Sequence, residues 1–278
     1  MKKLFLAVII TFSLYSSVFA VQKIHFSVDD VISSFENLTK NEAEYKSAFD
    51  EPFFLYIKSL HDEFGVKISL YCFYEKDGFS LDDCTDKFSD DFSSSACWLK
   101  FGFHAVNSVE KCNGGGYEMF VKQIERITGN KNCITQTVRL DYFEGSKESI
   151  QNNSYKNKFC GIKQLLCADS NVRNSYFLNE TQKKELNDTE KINVDGLSFI
   201  KTDFRFDNIE NFKTFFKENQ NEDEIVVFTH EWLLRIPFRK NLVKYFLQVH
   251  KSDTVKKNIN EFCKFFEKGD AEYVFSFE

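Results

Sequence analysis

Side chains that could bind a metal ion or transfer protons follow three short apolar runs of this sequence. The polar residues at the ends of these runs are Asp29, Asp30, His104, His230 and Glu231. A run of four to six apolar residues predicts a buried strand, and polar groups at its C-terminal end emerge at the rim of the sheet. Carboxylates and imidazoles ligate divalent cations and act as general acids and bases. The sequence therefore predicts one convergent metal or acid/base site at that rim.

Strand-like apolar runs recur along the chain and alternate with helical patterns. The strand-like runs cover residues 23–28, 66–73, 98–103, 136–143, 164–168, 196–206, 225–230 and 272–277. Helical patterns cover residues 117–128, 209–218 and 241–266, and a further helix is predicted within 40–64. This alternation predicts a parallel sheet with crossover helices. We expect a single α/β domain and, with seven or eight strands, a (β/α) barrel, in which catalytic residues sit at the C-terminal ends of strands.

Residues 1–20 have the pattern of a secretory signal peptide. Lys2 and Lys3 give a positively charged start, an apolar stretch follows, and Val18-Phe19-Ala20 is a small-residue cleavage site. We therefore expect export to the periplasm, the cell surface or the medium, with residues 21–278 forming the mature domain. The alternative is that residues 1–20 stay attached as an uncleaved N-terminal anchor. No later stretch approaches the roughly 20 apolar residues that a membrane-spanning helix needs.

The cysteine count and the net charge restrict the environment and the partners. The chain has eight cysteines, and an even number in an exported protein favours disulfides over a reduced thiolate site. We expect at least three bridges, with Cys160 and Cys167 joined to each other or to distant partners. The formal net charge of −6 argues against nucleic acid as a partner.

Four segments resemble the motifs of polysaccharide deacetylases, in the order that this family has them. The segments are Phe26–Asp30, Phe101–Ala105, Val138–Phe143 and Phe228–Trp232. The first is similar to the Thr/Ser-Phe-Asp-Asp motif, and the second to a motif that supplies metal-binding histidine. The third is similar to an arginine-containing strand, and the fourth to a late histidine motif. The resemblance extends over nearly all of the predicted mature domain.

The resemblance implies a distorted (β/α) barrel that removes N- or O-acetyl groups from a glycan or polysaccharide. It implies a divalent metal cofactor, in most cases zinc, which polarises the acetyl carbonyl and activates a water. Asp29 is then the general base, Asp30 and His104 are metal ligands, and His230 is the general acid. Arg139 is implied to lie beside Asp29, keeping it ionised and oriented by charge pairing.

The second motif departs from the family at one position. Where the family has another histidine four residues after the first, this chain has Ser108. A zinc site normally has three protein ligands. Asp141, two residues after Arg139, is the first candidate for the third ligand, and Asn107 and His230 are the alternatives. If none of them serves, the protein has lost its metal and only binds a glycan.

Two residues beside the predicted general acid are expected to contact the substrate. Trp232 could stack on a sugar ring, with partial burial in the core as the alternative, and Glu231 is the second expected contact. Two other functions stay open. One is an inactive deacetylase-like barrel that binds glycans. The other is a metal-free glycosidase that pairs Glu231 with Asp29 or Asp30, for which carboxylate separations of about 5 Å or 6.5–9.5 Å are expected.

Overall fold

The computed structural model describes residues 21–109, 114–155, 161–169, 173, 175–219, 221–235, 242–267 and 271–277. The predicted signal peptide lies outside these residues. The strands are β1 (Gln22–Val31), β2 (Ile68–Phe73), β3 (Glu75–Lys76), β4 (Phe79–Ser80), β5 (Leu99–Ala105), β6 (Thr137–Val138), β7 (Gln164–Leu166), β8 (Lys191–Val194), β9 (Leu197–Ile200), β10 (Phe204–Arg205), β11 (Glu224–His230) and β12 (Ala271–Tyr273). The helices are α1 (Ser33–Lys40), α2 (Pro52–Phe64), α3 (Ser89–Ser94), α4 (Gly114–Thr128), α5 (Lys147–Tyr155), α6 (Glu180–Thr189), α7 (Phe212–Asn219), α8 (Glu231–Leu234) and α9 (Leu242–Phe266). Within the described ranges, none of these helices has the length and apolar character needed to cross a membrane.

A six-stranded parallel sheet forms the centre of the fold. Its order is β10-β11-β1-β2-β5, and β12 also pairs with β1. All residues from Ile24 to Asp29 in β1 are buried, and so is the whole of β2. A strand covered on both faces must be apolar almost throughout, which is why these strands are visible in the sequence as continuous runs.

A second sheet continues the alternation of strands and helices. Its order is β6-β7-β9-β8, parallel except for the last pair. A bridge between Phe101 of β5 and Ile134 connects the two sheets on one side. On the other side, β10 follows β9 in the chain but the described strands show no ladder between them. The predicted α/β class with a mostly parallel sheet is confirmed, and the described strands do not close into one hydrogen-bonded ring.

Most predicted strands are present, but one of them is much shorter than expected. Of residues 136–143, only Thr137 and Val138 form a strand, and Asp141–Phe143 is a 3-10 turn. The run 196–206 is divided between β9 and β10. The turn after β6 matters for function because it carries Asp141.

The prediction of at least three disulfides is wrong for this structure. The cysteines in the described residues are all free: Cys72, Cys84, Cys97, Cys133, Cys167 and Cys263. Cys167 is therefore not joined to Cys160, which lies outside the described residues together with Cys112. All of the free cysteines except Cys97 are buried, and burial raises the pKa of Cys84 and of Cys263 to about 12. Such thiols pack as small apolar side chains.

Candidate active site

Two adjacent carboxylates, Asp29 and Asp30, lie at the C-terminal end of β1. In a regular strand, neighbouring side chains point to opposite faces of the sheet. Here the pairing with β2 shifts register between Val28 and Val31, and Asp30 has a φ of 63°, in the left-handed region. Such a bulge changes the direction of a side chain. As a result, both carboxylates lie near His104, and the negative charge of each one raises the pKa of this histidine.

Asp30, His104 and Asp141 form one cluster at the strand ends. His104 Nε2 lies 3.3 Å from Asp30 Oδ1 and 3.7 Å from Asp141 Oδ1. One ligand atom from each residue lies within 4.8 Å of the others. β1 carries Asp30, β5 carries His104, and the turn after β6 carries Asp141. The structure thus brings together the three side chains that the sequence predicts as metal ligands.

The imidazole of His104 is held in a fixed orientation. Its Nδ1 lies 2.5 Å from the backbone oxygen of Arg139, and its ring packs edge-on against Phe73. A carbonyl oxygen only accepts hydrogen bonds, so Nδ1 carries the donated proton. In the neutral ring the lone pair is then on Nε2, which faces the carboxylates of Asp30 and Asp141. This arrangement is typical of metal-binding histidines.

The charges of the cluster shift the pKa values of its members in opposite directions. Burial alone would lower the pKa of His104, but the hydrogen bond with Asp30 and the charges of Asp29, Asp30 and Asp141 raise it to about 9. Burial would raise the pKa of Asp30, but the hydrogen bond and the charge of His104 lower it. Without a metal ion, the cluster therefore holds a proton on His104 at neutral pH.

Arg139 is a buried cation that links the two sheets. Its Nη1 lies 3.2 Å from Asp29 Oδ1 and donates to Ser27 Oγ at 2.7 Å, and its Nη2 donates to Thr202 Oγ1 at 3.2 Å. The guanidinium also lies over the ring of Phe228, 4.0 Å from its centre. These contacts fix the position of the Asp29 carboxylate, and Arg139 lies beside Asp29 as the resemblance to the deacetylase motifs implies.

His230 lies on the strand next to Asp29. The two residues are register partners across β1 and β11, and the charge of His230 lowers the pKa of Asp30. His230 Nδ1 is 3.9 Å from Asp207 Oδ1, which is longer than a hydrogen bond but within the range of an ion pair. The sequence reasoning missed Asp207. It follows the apolar run 196–206, so the same strand-end rule that found the other site residues would have found it.

Glu231 does not have the predicted role of substrate contact. It is 1% exposed, and its Oε2 accepts from the backbone N–H of Ile32 and Ser33 at 3.3 and 3.1 Å. Its Oε1 accepts from the N–H of Ser34 at 2.6 Å and also from the Ser34 hydroxyl. These amides begin α1 and have no partner within the helix, so Glu231 caps this helix from a distant part of the chain. Both oxygens of the Glu231 carboxylate thus accept hydrogen bonds from the start of α1, and the side chain is buried where a substrate does not reach it.

We expect Glu231→Ala to lower the free energy of unfolding by about 2–3 kcal/mol, because several buried donors lose a charged acceptor. Urea denaturation measures this change. Glu36→Ala is the matched control, since Glu36 lies in the same helix and makes an exposed pair with Lys40, and we expect a change below about 0.5 kcal/mol. Unchanged stability together with a raised KM in Glu231→Ala would restore the substrate-contact role.

Trp232 is partly exposed beside the predicted general acid. Trp232 is 43% exposed, and its ring centre is 5.7 Å from the ring centre of His230. Lys251 Nζ lies 5.5 Å from the centre of the Trp232 ring. The core therefore does not cover the whole side chain. Its contact with a sugar ring stays a prediction.

Of the three candidates for the third ligand, Asp141 lies in the cluster with Asp30 and His104, and Asn107 and His230 do not. Asn107 Nδ2 donates to Glu75 Oε1 at 2.7 Å, and His230 is outside the cluster. A cleft of about 780 Å³ opens beside the cluster, with Asp30 and Asp141 in its wall. The site thus combines three ligand candidates, a carboxylate paired with arginine, a histidine near a carboxylate, and an open approach.

The comparisons with known proteins give matches among solved structures. Neither a family model nor a curated protein matches the chain. A peptidoglycan N-acetylglucosamine deacetylase is similar with 11% identity and a TM-score of 0.42, over 92% of this chain and 86% of that chain. A Mycobacterium smegmatis protein assigned to the polysaccharide deacetylases is similar with 12% identity and a TM-score of 0.48, over 88% of this chain and 85% of that chain. The second of these structures carries the name of the family that the four sequence motifs resemble.

Proposed function

We propose that this protein is an exported, metal-dependent hydrolase that removes acetyl groups from a glycan. One observation carries the proposal: Asp30, His104 and Asp141 meet at the strand ends, within reach of the paired Asp29 and of His230. Export follows from the leader pattern of residues 1–20.

The cluster fits a divalent cation. It offers two carboxylate oxygens and one imidazole nitrogen, which are hard and borderline donors suited to zinc and similar ions. Three protein ligands leave further positions open for substrate and water. When bound, the ion polarises the acetyl carbonyl and lowers the pKa of the water that attacks it.

Asp29 and His230 have complementary roles in proton transfer. Asp29 accepts a proton from the attacking water, and Arg139 orients this carboxylate through the 3.2 Å contact. His230 donates a proton to the departing amine or alkoxide, since an imidazole can act as a general acid. The carboxylate of Asp207, 3.9 Å from His230 Nδ1, stabilises the protonated ring.

The two alternative functions have less support. A glycosidase would need Glu231 as the second carboxylate, but Glu231 is buried and caps α1. A barrel that only binds glycans would need no ligand cluster, yet side chains from β1, from β5 and from the turn after β6 meet here. The cluster therefore favours the hydrolase.

The test measures metal affinity and acetate release on the wild-type protein. We expect the dialysed protein to bind Zn²⁺, Co²⁺ or Mn²⁺ and then to release acetate from chitin oligomers or acetylated xylan.

Because the pKa of His104 is about 9 without metal, the ion must displace a proton from Nε2 below that pH. We expect the affinity to fall about tenfold for each pH unit below 9, which is about a hundredfold from pH 8 to pH 6.

Calorimetry in two buffers of different ionisation enthalpy counts the released proton. A protein that binds none of these ions and releases no acetate would contradict the proposal and favour the glycan-binding barrel.

A further inference from the structure

The peptide group between Arg139 and Leu140 lies beside His104 and is hydrogen-bonded on both sides. Its carbonyl oxygen, which belongs to Arg139, accepts from His104 Nδ1 at 2.5 Å. Its N–H, which belongs to Leu140, donates to the hydroxyl of Tyr176 at 3.3 Å. The orientation of the imidazole therefore depends on a peptide group that a further side chain, Tyr176, holds in place.

The hydroxyl of Tyr176 lies where β6 and β7 separate. Val138 pairs with Leu165 in the parallel ladder of these strands. If the ladder continued, its next hydrogen bond would join the N–H of Leu140 to the carbonyl of Leu166. Tyr176 Oη takes the place of that bond, because it accepts from Leu140 and donates to the carbonyl of Leu166 at 2.6 Å. A hydroxyl can donate and accept at the same time, so β6 ends here without an unsatisfied backbone group.

Tyr176 also holds the far end of the turn that carries Asp141. Its backbone N–H donates to the carbonyl of Phe143 at 2.7 Å. Inside this turn, Tyr142 has a φ of 52° and Phe143 a φ of 56°. Two consecutive non-glycine residues in the left-handed region cost conformational energy, and such strain persists where the surrounding structure imposes it. Tyr176 thus contacts the turn at both of its ends, at Leu140 and at Phe143.

The position of Tyr176 is itself determined by packing. Its side chain is half-buried, and its ring centre lies 6.1 Å from the ring centre of Phe199 on β9. The neighbouring residues Ser175 and Leu178 are buried, and the N–H of Leu178 donates to the carbonyl of Ser175 at 3.2 Å. The segment between β7 and α6 therefore belongs to the packed part of the second sheet.

This chain has a particular need for such support. Ser108 replaces the second histidine of the motif, and Asp141, the candidate that lies in the cluster, comes from a 3-10 turn. A ligand on a strand is positioned by the ladder, whereas a ligand on a turn depends on contacts from other segments. Groups that orient metal ligands without binding the ion contribute about 10- to 100-fold to metal affinity.

We infer that Tyr176 is a positioning residue of the metal site. It orients His104 through the peptide group that both residues contact, and it orients Asp141 through the two ends of the turn. The inference rests on the proposed function, because it treats the cluster as a metal site. Hydrogen bonds in such a chain also polarise one another, so the hydroxyl strengthens the bond that His104 donates.

The test is Tyr176→Phe, which removes the hydroxyl and keeps the ring. We expect the Kd for Zn²⁺, measured by calorimetry on the dialysed protein, to rise about 10- to 100-fold. Thr128→Val is the matched control. Thr128 Oγ1, at the last residue of α4, also donates to a carbonyl, that of Ile124 at 2.7 Å, and accepts a backbone N–H, that of Asn130 at 3.3 Å.

Both variants lose a hydroxyl with the same two tasks, so the melting temperature of the metal-free protein should fall by a similar amount, about 2–6 °C. The Kd for Zn²⁺ in Thr128→Val should stay within about twofold of wild type, because this hydroxyl has no contact with the turn or with the Arg139–Leu140 peptide group. An equal rise of Kd in both variants, or no rise in Tyr176→Phe, would overturn the positioning role.

NMR of the metal-free protein separates this inference from the proposed function. In Tyr176→Phe we expect the Leu140 amide to exchange with solvent at least about tenfold faster and the signal of the His104 Nδ1 proton to shift. Neither should change in Thr128→Val. If the wild type binds no divalent ion but both signals change, the hydrolase fails and the hold of Tyr176 on His104 is confirmed. If the wild type binds Zn²⁺ and releases acetate, and Tyr176→Phe binds Zn²⁺ equally well, the hydrolase holds and the positioning role fails.

Discussion

Asp30→Ala and His104→Ala are each expected to abolish metal binding and acetate release together. Both side chains contribute an atom to a cluster whose members lie within 4.8 Å of one another. The loss of one of three ligands should lower metal affinity by about a hundredfold to a thousandfold. Metal analysis of the purified variants and calorimetric titration with Zn²⁺ measure this loss.

Asp29→Asn is expected to separate metal binding from turnover. Its carboxylate is paired with Arg139 at 3.2 Å and is not a member of the ligand cluster. The amide still accepts a hydrogen bond from Arg139 but is a poor proton acceptor, so kcat should fall about 10²–10⁴-fold while the metal is retained. We expect His230→Ala to give the same pattern.

The control for the ligand variants and for the proton-transfer variants is Asp62→Ala, which should keep both metal binding and turnover. It removes an exposed carboxylate that pairs with Lys58 on α2. Metal retained in Asp30→Ala would show that the cluster is not the binding site. Metal lost in Asp29→Asn would show that Asp29 is a ligand and not the base.

Arg139→Met is expected to lower the free energy of unfolding by about 3–5 kcal/mol. Arg139 is 1% exposed and Asp29 is 2% exposed, so the substitution leaves a carboxylate buried without its cation. The hydrogen bonds to Ser27 and Thr202 are lost as well. Urea denaturation of the metal-free protein gives the change.

A double-variant cycle identifies the cause of this destabilisation. In Arg139→Met with Asp29→Asn, no unpaired charge is left, and part of the lost stability should return. Lys58→Met is the matched control, because it replaces an exposed cation that pairs with Asp62, and we expect a change below about 1 kcal/mol. A double variant less stable than Arg139→Met alone would show that the charge pair does not account for the effect.

The sequence by itself predicted the strands that carry the site. The runs that became β1, β2, β5 and β11 are apolar because both faces of these parallel strands are covered. The polar residues that end these runs, Asp29, Asp30, His104 and His230, could be located for the same reason: an apolar run stops where the chain leaves the sheet. This signal is local, so one sequence is sufficient to see it.

Only the tertiary structure decided which partner each of these side chains has. Asp141 was predicted in a strand but lies in a turn, and its place beside His104 depends on the packing of the two sheets. Glu231 was predicted to contact substrate but caps α1, about 200 residues earlier in the chain. The cysteines predicted to pair are free and mostly buried. A carboxylate or thiol looks the same in sequence whichever group it meets, because its partner is chosen by the packing of elements that are distant in the chain.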